Sequence, residues 1–184
     1  MNKELIGWLQ DRTAQGAIGP SALRNQGNRG VLTIARRYLE AIDLFKFSVT
    51  NEQQFKSLLD ANTKDLMNSF PKGARNWGAA RKALNLFLRD VLYNHYLSQH
   101  FGFRQIEKWL EVPLDSYTAK AIRKKYGSKN LPPWKGIKYL TPEVSQAYQD
   151  AATKLASYNK FARVHLDVLY WRDVGQKANA KPTT

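Results

Sequence analysis

The chain has 184 residues, of which 43% are apolar and 12% aromatic, and 29 lysines and arginines against 15 aspartates and glutamates give it a formal charge of +14. A mean hydropathy of −0.54 and the lack of any apolar run of about 20 residues exclude a membrane-spanning helix, and the absence of cysteine excludes disulfides and thiolate metal sites. We therefore expect a cytoplasmic protein without a membrane partner, made of one domain over residues 1–174 and a disordered basic tail over residues 175–184.

Apolar residues recur with the spacing of an amphipathic helix along the amino-terminal half of the chain. The first predicted helix carries Leu5, Trp8 and Leu9 on one apolar face, and Thr50 with Gln53 has the spacing of a capping box at the start of a later helix. The predicted elements of this half are a helix over 3–10, a glycine-rich loop over 16–30, a helix over 31–47, and two helices over about 50–70 and 78–98 that form a hairpin.

The carboxyl-terminal half shows two helix starts. Asp115 stands where an N-cap belongs, and Thr141 followed by Pro142 is a second cap with proline at the first helical position. The predicted elements are a short helix over 103–110, a helix from 116 to about 126, an aromatic and basic loop over 131–140, a helix over 142–158 and a last helix over about 162–174. Because no alternating strand is present, the sequence predicts an all-α fold, a single compact domain of about seven or eight helices.

The positive charge indicates a polyanionic partner. A pI near 10.0 favours nucleic acid, DNA more than RNA, and residues 104–138 hold nine basic residues against three acidic ones. This segment is a candidate phosphate-binding face, whose affinity would fall steeply with salt. The alternatives are a solvated surface that keeps the protein soluble and, as a weaker one, contact with anionic lipid.

Several kinds of chemistry find no support in the sequence. His95, His100 and His165 lack the carboxylate or thiolate spacing of a metal site. The chain has no phosphate-binding loop of the Walker type and no dinucleotide-binding glycine motif. We therefore expect neither a metal nor a cofactor.

Two segments carry a family resemblance. Phe70-Pro-Lys-Gly-Ala-Arg-Asn-Trp-Gly-Ala-Ala-Arg-Lys-Ala-Leu places Lys82 just past a glycine-containing helical hairpin, and Val112-Pro-Leu-Asp-Ser-Tyr-Thr-Ala-Lys-Ala-Ile-Arg places Asp115 at the mouth of a basic helix. This arrangement resembles the helix-hairpin-helix DNA glycosylase superfamily, and the stretch over 164–171 is more similar to its archaeal oxoguanine glycosylase branch. The resemblance implies a helix-hairpin-helix-like fold and a DNA repair enzyme, a glycosylase/lyase that acts on a damaged or modified base. In it, Lys82 would be the nucleophile and Asp115 its activating carboxylate.

A glycosylase also needs groups that hold the DNA and receive the flipped base. Basic residues around the two motifs are the predicted nucleic-acid contacts, and aromatic residues near them are the predicted base pocket. The nucleic-acid contacts are Arg75, Arg81, Lys120, Arg123, Lys124, Lys125, Lys129 and Lys135; the base pocket is Trp77, Trp109, Tyr117 and Trp134.

Two further hypotheses stay open. Arg89 and His95, with Asp90 directly after the arginine, resemble the motif of HEPN-type ribonucleases of toxin and defence systems, in which the arginine would hold the scissile phosphate and the histidine would transfer protons. The other hypothesis is a non-catalytic helical module that binds nucleic acid through its basic face.

Overall fold

A computed structural model describes residues 2–24, 26 and 30–171. These residues are all-helical, as the sequence predicts, and none of the described residues lies in a β-strand. Their contacts form two compact units, unit 1 (Met1–Leu110) and unit 2 (Glu111–Thr184). The prediction of one domain over 1–174 stays a prediction, because a compact set of contacts does not by itself establish an independently folding domain.

The described residues of unit 1 form six α-helices. They are α1 (Lys3–Ala17), α2 (Val31–Ala41), α3 (Glu52–Ser69), α4 (Trp77–Tyr93), α5 (His95–His100) and α6 (Phe103–Ile106), with 3-10 turns at Leu44–Phe47, Lys72–Ala74 and Glu107–Trp109. The predicted helix over 31–47 is therefore wrong in its second part: Ile42 is extended and Asp43 caps a separate 3-10 turn.

The first helix is longer than predicted and faces the core with a different side. It buries Ile6, Gln10, Ala14 and Ala17, whereas Trp8 is 66% exposed. The sequence pattern favoured the face of Leu5, Trp8 and Leu9 because the buried face holds one isoleucine, two small alanines and an amide. Ala14 is fully buried, and so small a side chain lets neighbouring helices approach closely.

Gln10 joins α1 to the end of α2. Its side-chain Nε2 lies 3.2 Å from the carbonyl oxygen of Leu39, 3.0 Å from that of Glu40 and 2.8 Å from that of Ile42. The last carbonyls of a helix have no partner within the helix. The amide of Gln10 therefore acts as a C-cap supplied from another element.

The predicted hairpin is formed by α3 and α4, which pack against each other. The N-cap of α3 is Asn51, whose side chain accepts from the Gln54 backbone N–H at 2.9 Å, so the capping box predicted at Thr50 is wrong by one residue. Helix α4 is buried around most of its circumference and packs on α1, α2, α3 and α5. It ends at Tyr93, where the sequence predicted continuous helix, because Asn94 is extended and its side chain caps α5.

Unit 2 contains α7 (Ser116–Tyr126), α8 (Pro142–Tyr158), 3-10 turns at Ile137–Tyr139 and Arg163–His165, and helical residues 166–171, here α9. Both predicted caps are confirmed: Asp115 accepts from two backbone N–H groups of α7, and Thr141 caps α8 ahead of Pro142. The buried amide of Gln149 bonds both the N–H and the carbonyl of Val112, at 3.0 and 2.9 Å, which holds the segment before α7 against α8.

Two predictions fall partly or wholly outside the described residues: the end of the last helix, 172–174, and the tail over 175–184. Within residues 2–24, 26 and 30–171, no helix has both the length and the apolar character needed to cross a membrane.

Candidate nucleic-acid-binding surface

The solvent face of α7 is aromatic at its start and basic along its length. Thr118, Ala119 and Ile122 point into unit 2 and are buried. Tyr117, Lys120 and Lys124 follow the spacing i, i+3 and i+7, which places them on the opposite face, and all three are exposed.

The chain segment from the start of α7 to the start of α8 carries charge of one sign. Ser116–Pro142 contains seven lysines and arginines and no aspartate or glutamate. Six of the seven basic side chains are exposed: Lys120, Lys124, Lys125, Lys129, Lys135 and Lys138. We call these six residues the lysine surface. A patch of like charges raises the local potential, and within about 10 Å it is only partly screened at 0.1 M salt.

Arg123, the seventh basic residue, shapes the end of α7. It is half-buried and donates to the Ser128 carbonyl at 2.8 Å. Gly127 ends the helix with a φ of 104°, where a Cβ atom would lie 2.9 Å from the Asn130 side chain. Arg123 therefore holds the turn that follows α7 and presents less of its charge to solvent than the lysines do.

Two tryptophans flank the first turn of α7. Trp171 of α9 lies against Tyr117, with ring centroids 5.0 Å apart and an interplanar angle of 53°. Trp134 donates from Nε1 to the Ser116 hydroxyl at 3.3 Å and packs edge-on against Tyr148. Burial raises the pKa of Tyr148 above its ordinary value, opposed by the nearby Arg123.

Sequence analysis missed a second carboxylate beside α7. Asp167 is buried and accepts from the Thr118 hydroxyl at 3.0 Å. The sequence signal was an acidic residue inside the apolar run Val164–Trp171, where an exposed position would be unexpected. Asp167 fixes α9 to the first turn of α7 and so supports the contact between Trp171 and Tyr117.

The predicted catalytic pair is divided between the units, with Lys82 in unit 1 and Asp115 in unit 2. Lys82 is only 7% exposed, and its Nζ donates to the Ala22 carbonyl at 2.7 Å. Asp115 caps α7 by accepting from Tyr117 and Thr118 backbone N–H groups at 2.9 and 2.8 Å. Both residues have structural roles in the described contacts, and their catalytic role stays a prediction.

The other predicted site residues of unit 1 differ in exposure. Arg81 is 4% exposed; it pairs with Asp60 at 2.6 Å, donates to the Thr63 hydroxyl at 2.8 Å and lies over the Trp77 ring at 4.9 Å. Its place among the nucleic-acid contacts stays a prediction, and in the structure this guanidinium is bonded within unit 1. Arg75 is exposed and donates from Nε to the Phe70 carbonyl.

The predicted base-pocket residue Trp109 is half-buried. It packs against Phe55 at 6.5 Å between ring centroids, and the Lys108 amine lies over its ring at 5.0 Å. A half-buried ring already packed on both a neighbouring aromatic and a cation contributes to the apolar packing of unit 1.

The residues of the ribonuclease hypothesis lie on either side of a helix break. Arg89 pairs with its neighbour Asp90 at 2.7 Å, and His95 is exposed at the first residue of α5, against Tyr96. Burial raises the pKa of Asp90, and Arg89 opposes that rise. Because α4 ends at Tyr93, the two residues do not share one regular helix.

Among the residues that the structure describes, no three histidines, aspartates or glutamates cluster as metal ligands would.

The likeness to helix-hairpin-helix glycosylases stays a prediction carried by the two motifs quoted for it. Comparison of the chain with protein-family models, curated proteins and solved structures found no match.

Proposed function

We propose that this protein binds nucleic acid, with DNA as the expected ligand, through the lysine surface of unit 2. The observation that carries the proposal is the run of exposed lysines around α7 in a segment without any acidic residue. Such a surface attracts phosphates and meets no like-charge repulsion from carboxylates within the same segment.

The residue type indicates how the ligand is bound. Lysine presents a compact charge on a flexible stem, whereas arginine presents a planar fork that reads guanine or phosphate in a bidentate way. All six members of the surface are lysines, so we expect contacts to the backbone phosphates and little discrimination between base sequences.

Phosphate binding uses the side chains of the lysine surface in the exposed positions that they already occupy. The lysines are exposed, and contact with phosphate costs little beyond their own ordering. Catalysis through Lys82, by contrast, would require its amine to leave the Ala22 carbonyl and reach a sugar carbon. The non-catalytic module is therefore the function that the geometry supports best.

The test is a salt titration of binding by fluorescence anisotropy with a labelled DNA. The variant Lys120→Gln/Lys124→Gln removes two adjacent charges of the exposed α7 face. If both contact phosphate, the slope of log K against log salt decreases in magnitude by about 1.4–1.8. The matched control, Lys64→Gln/Lys72→Gln, removes two exposed charges of unit 1 and should leave the slope unchanged.

Two results would contradict the proposal. One is an affinity that does not depend on salt, or no binding at low salt. The other is an equal loss of affinity in the test and control variants, which would make the attraction a property of total charge instead of this surface.

A further inference from the structure

The pair formed by Tyr117 and Trp171 leaves a large aromatic area in contact with solvent. Tyr117 is 51% exposed and Trp171 is 48% exposed, although their ring centroids are only 5.0 Å apart. Each ring covers part of the other and still presents the remainder to water. Adjacent exposed aromatic side chains of this size are typical of binding sites.

Lysine side chains lie near the pair, on the exposed face of α7 and beside α9. Lys120 lies one turn from Tyr117 along α7, and Lys124 lies one turn further on the same exposed face. On the side of α9, the Lys125 amine lies 5.1 Å from the centroid of the Tyr170 ring, next in sequence to Trp171. An apolar protein partner would have to cover these charges and remove their water, which is costly. A ligand that combines flat aromatic rings with negative charges fits both parts of the surface.

The first turn of α7 is also held in place, so the rings are positioned before a ligand arrives. Asp115 caps the turn, and Asp167 anchors α9 to it through the Thr118 hydroxyl. A ring that is already ordered loses less conformational entropy on binding than a mobile one.

From these observations we infer that the lysine surface takes single-stranded nucleic acid, with bases stacked on Tyr117 and Trp171 and phosphates on Lys120 and Lys124. The inference rests on the proposed function and narrows its ligand. In a duplex the flat faces of the bases are stacked on one another, and only the backbone and the base edges are accessible. A single strand can turn its bases onto protein aromatic side chains, which is how proteins with little sequence preference bind such strands.

The experiment compares a labelled oligodeoxythymidylate of about 16 nucleotides with a duplex of the same length, using the full chain. Tyr117→Leu removes the stacking ring and leaves all lysines in place. We expect it to weaken binding of the single strand by about 5- to 100-fold, to leave its salt slope unchanged, and to leave duplex binding unchanged. Tyr117→Phe keeps the ring and should retain the affinity.

Two further arms make the result specific. Tyr158→Leu is the matched control, since Tyr158 is an exposed tyrosine of the same unit, on α8, and it should bind like the parent protein. An oligouridylate of equal length shows whether RNA shares the site, in which case its binding also weakens with Tyr117→Leu. Circular dichroism of each variant confirms that the helices are retained.

The outcomes separate the two proposals. If single strand and duplex bind equally and Tyr117→Leu changes neither, while the salt slope still depends on Lys120 and Lys124, the single-strand inference is wrong and the proposed function holds. If neither nucleic acid binds in a salt-dependent way, the proposed function itself is wrong.

Discussion

Two cationic side chains hold the chain segment that follows α1. Arg36 donates from Nε to the Ile18 carbonyl at 2.9 Å, and Lys82 donates from Nζ to the Ala22 carbonyl at 2.7 Å. In the sequence both are indistinguishable from charges that could attract a polyanion. Together with Arg81, they show that the formal charge of +14 includes cations bonded within unit 1. The charge available to a ligand has to be counted from exposed side chains.

Replacing Lys82 with methionine tests its structural role. Lys82→Met keeps the length of the side chain and removes the donor, so the Ala22 carbonyl loses this hydrogen bond. We expect the free energy of unfolding to fall by about 1–3 kcal/mol, as measured by urea denaturation. Lys64→Met, on the exposed side of α3, is the control and should change it by less than about 0.5 kcal/mol. Equal effects of the two variants would show that the bond to Ala22 contributes nothing.

The glycosylase resemblance makes a different prediction for the same lysine. An amine that attacks the sugar C1′ forms an imine, which borohydride reduces to a stable protein–DNA adduct. If Lys82 is the nucleophile, adducts form on DNA that carries a suitable modified base and are lost in Lys82→Gln. Asp115→Asn should then slow base release while changing the free energy of unfolding by less than about 1 kcal/mol, because asparagine also caps helices. A broad panel of modified bases that yields neither released base nor adduct would end the enzyme hypothesis.

At the scale of secondary structure, the helices are held together by polar side chains as well as by apolar packing. The amide of Gln10 caps α2 from α1, and the amide of Gln149 binds the segment before α7. Buried amides of this kind have strict geometric needs, since each unpaired group would carry a desolvation cost. They therefore fix the positions of the elements that they join.

Helix α1 faces the core with Gln10 and not, as its apolar pattern predicts, with Trp8, so variants of these two residues should differ in stability. Gln10→Met removes the donor at the end of α2 and should lower the free energy of unfolding by about 1–3 kcal/mol. Trp8→Gln removes a large apolar side chain, yet it should change the free energy of unfolding by less than about 1 kcal/mol, because Trp8 is exposed. Thermal denaturation of the two variants checks the order of the effects. If Trp8→Gln lowers the free energy of unfolding more than Gln10→Met does, α1 is instead oriented as its apolar pattern predicts, with Trp8 towards the core.

Local signals were predictable from the sequence, and long-range ones were not. The caps at Asp115 and Thr141 are confirmed because a cap depends on a side chain and the backbone two or three residues away. The orientation of α1 depends on packing with other helices, whereas the break at Asn94 is a local cap inside an apolar pattern that predicts continuous helix. The bond from Lys82 to Ala22 spans 60 residues, and no periodicity in the sequence indicates it.

For the candidate site, the basic residues can be located from the sequence, but the sequence does not tell which of them are exposed and which are buried. Five of the six exposed lysines around α7 and the ring of Tyr117 were named in advance, since charge and residue type are visible in the sequence. The buried position of Arg81 and the contact of Trp171 with Tyr117 were missed, because both depend on tertiary structure.

For the whole molecule, calorimetry tests whether the two units unfold together. A domain as small as unit 2 is only marginally stable by itself, since it buries a smaller fraction of its surface than a larger one. If the two units form one domain, as the sequence predicts over residues 1–174, calorimetry gives a single cooperative transition with equal calorimetric and van't Hoff enthalpies. Two separate transitions, or a van't Hoff enthalpy well below the calorimetric one, would instead assign the units to different domains.

The amide of Gln10 also sets a limit on how long the unfolded chain can be kept hot. In the folded protein this side chain is buried and bonded to the end of α2, but on unfolding it meets hot water, in which glutamine is a thermolabile residue. Hydrolysis to glutamate would replace a donor with an anion that faces backbone carbonyls at the negative end of a helix dipole. Brief heating should therefore be reversible, whereas prolonged heating should progressively reduce the yield of refolded protein, with hydrolysis of the Gln10 amide as one chemical cause of that loss.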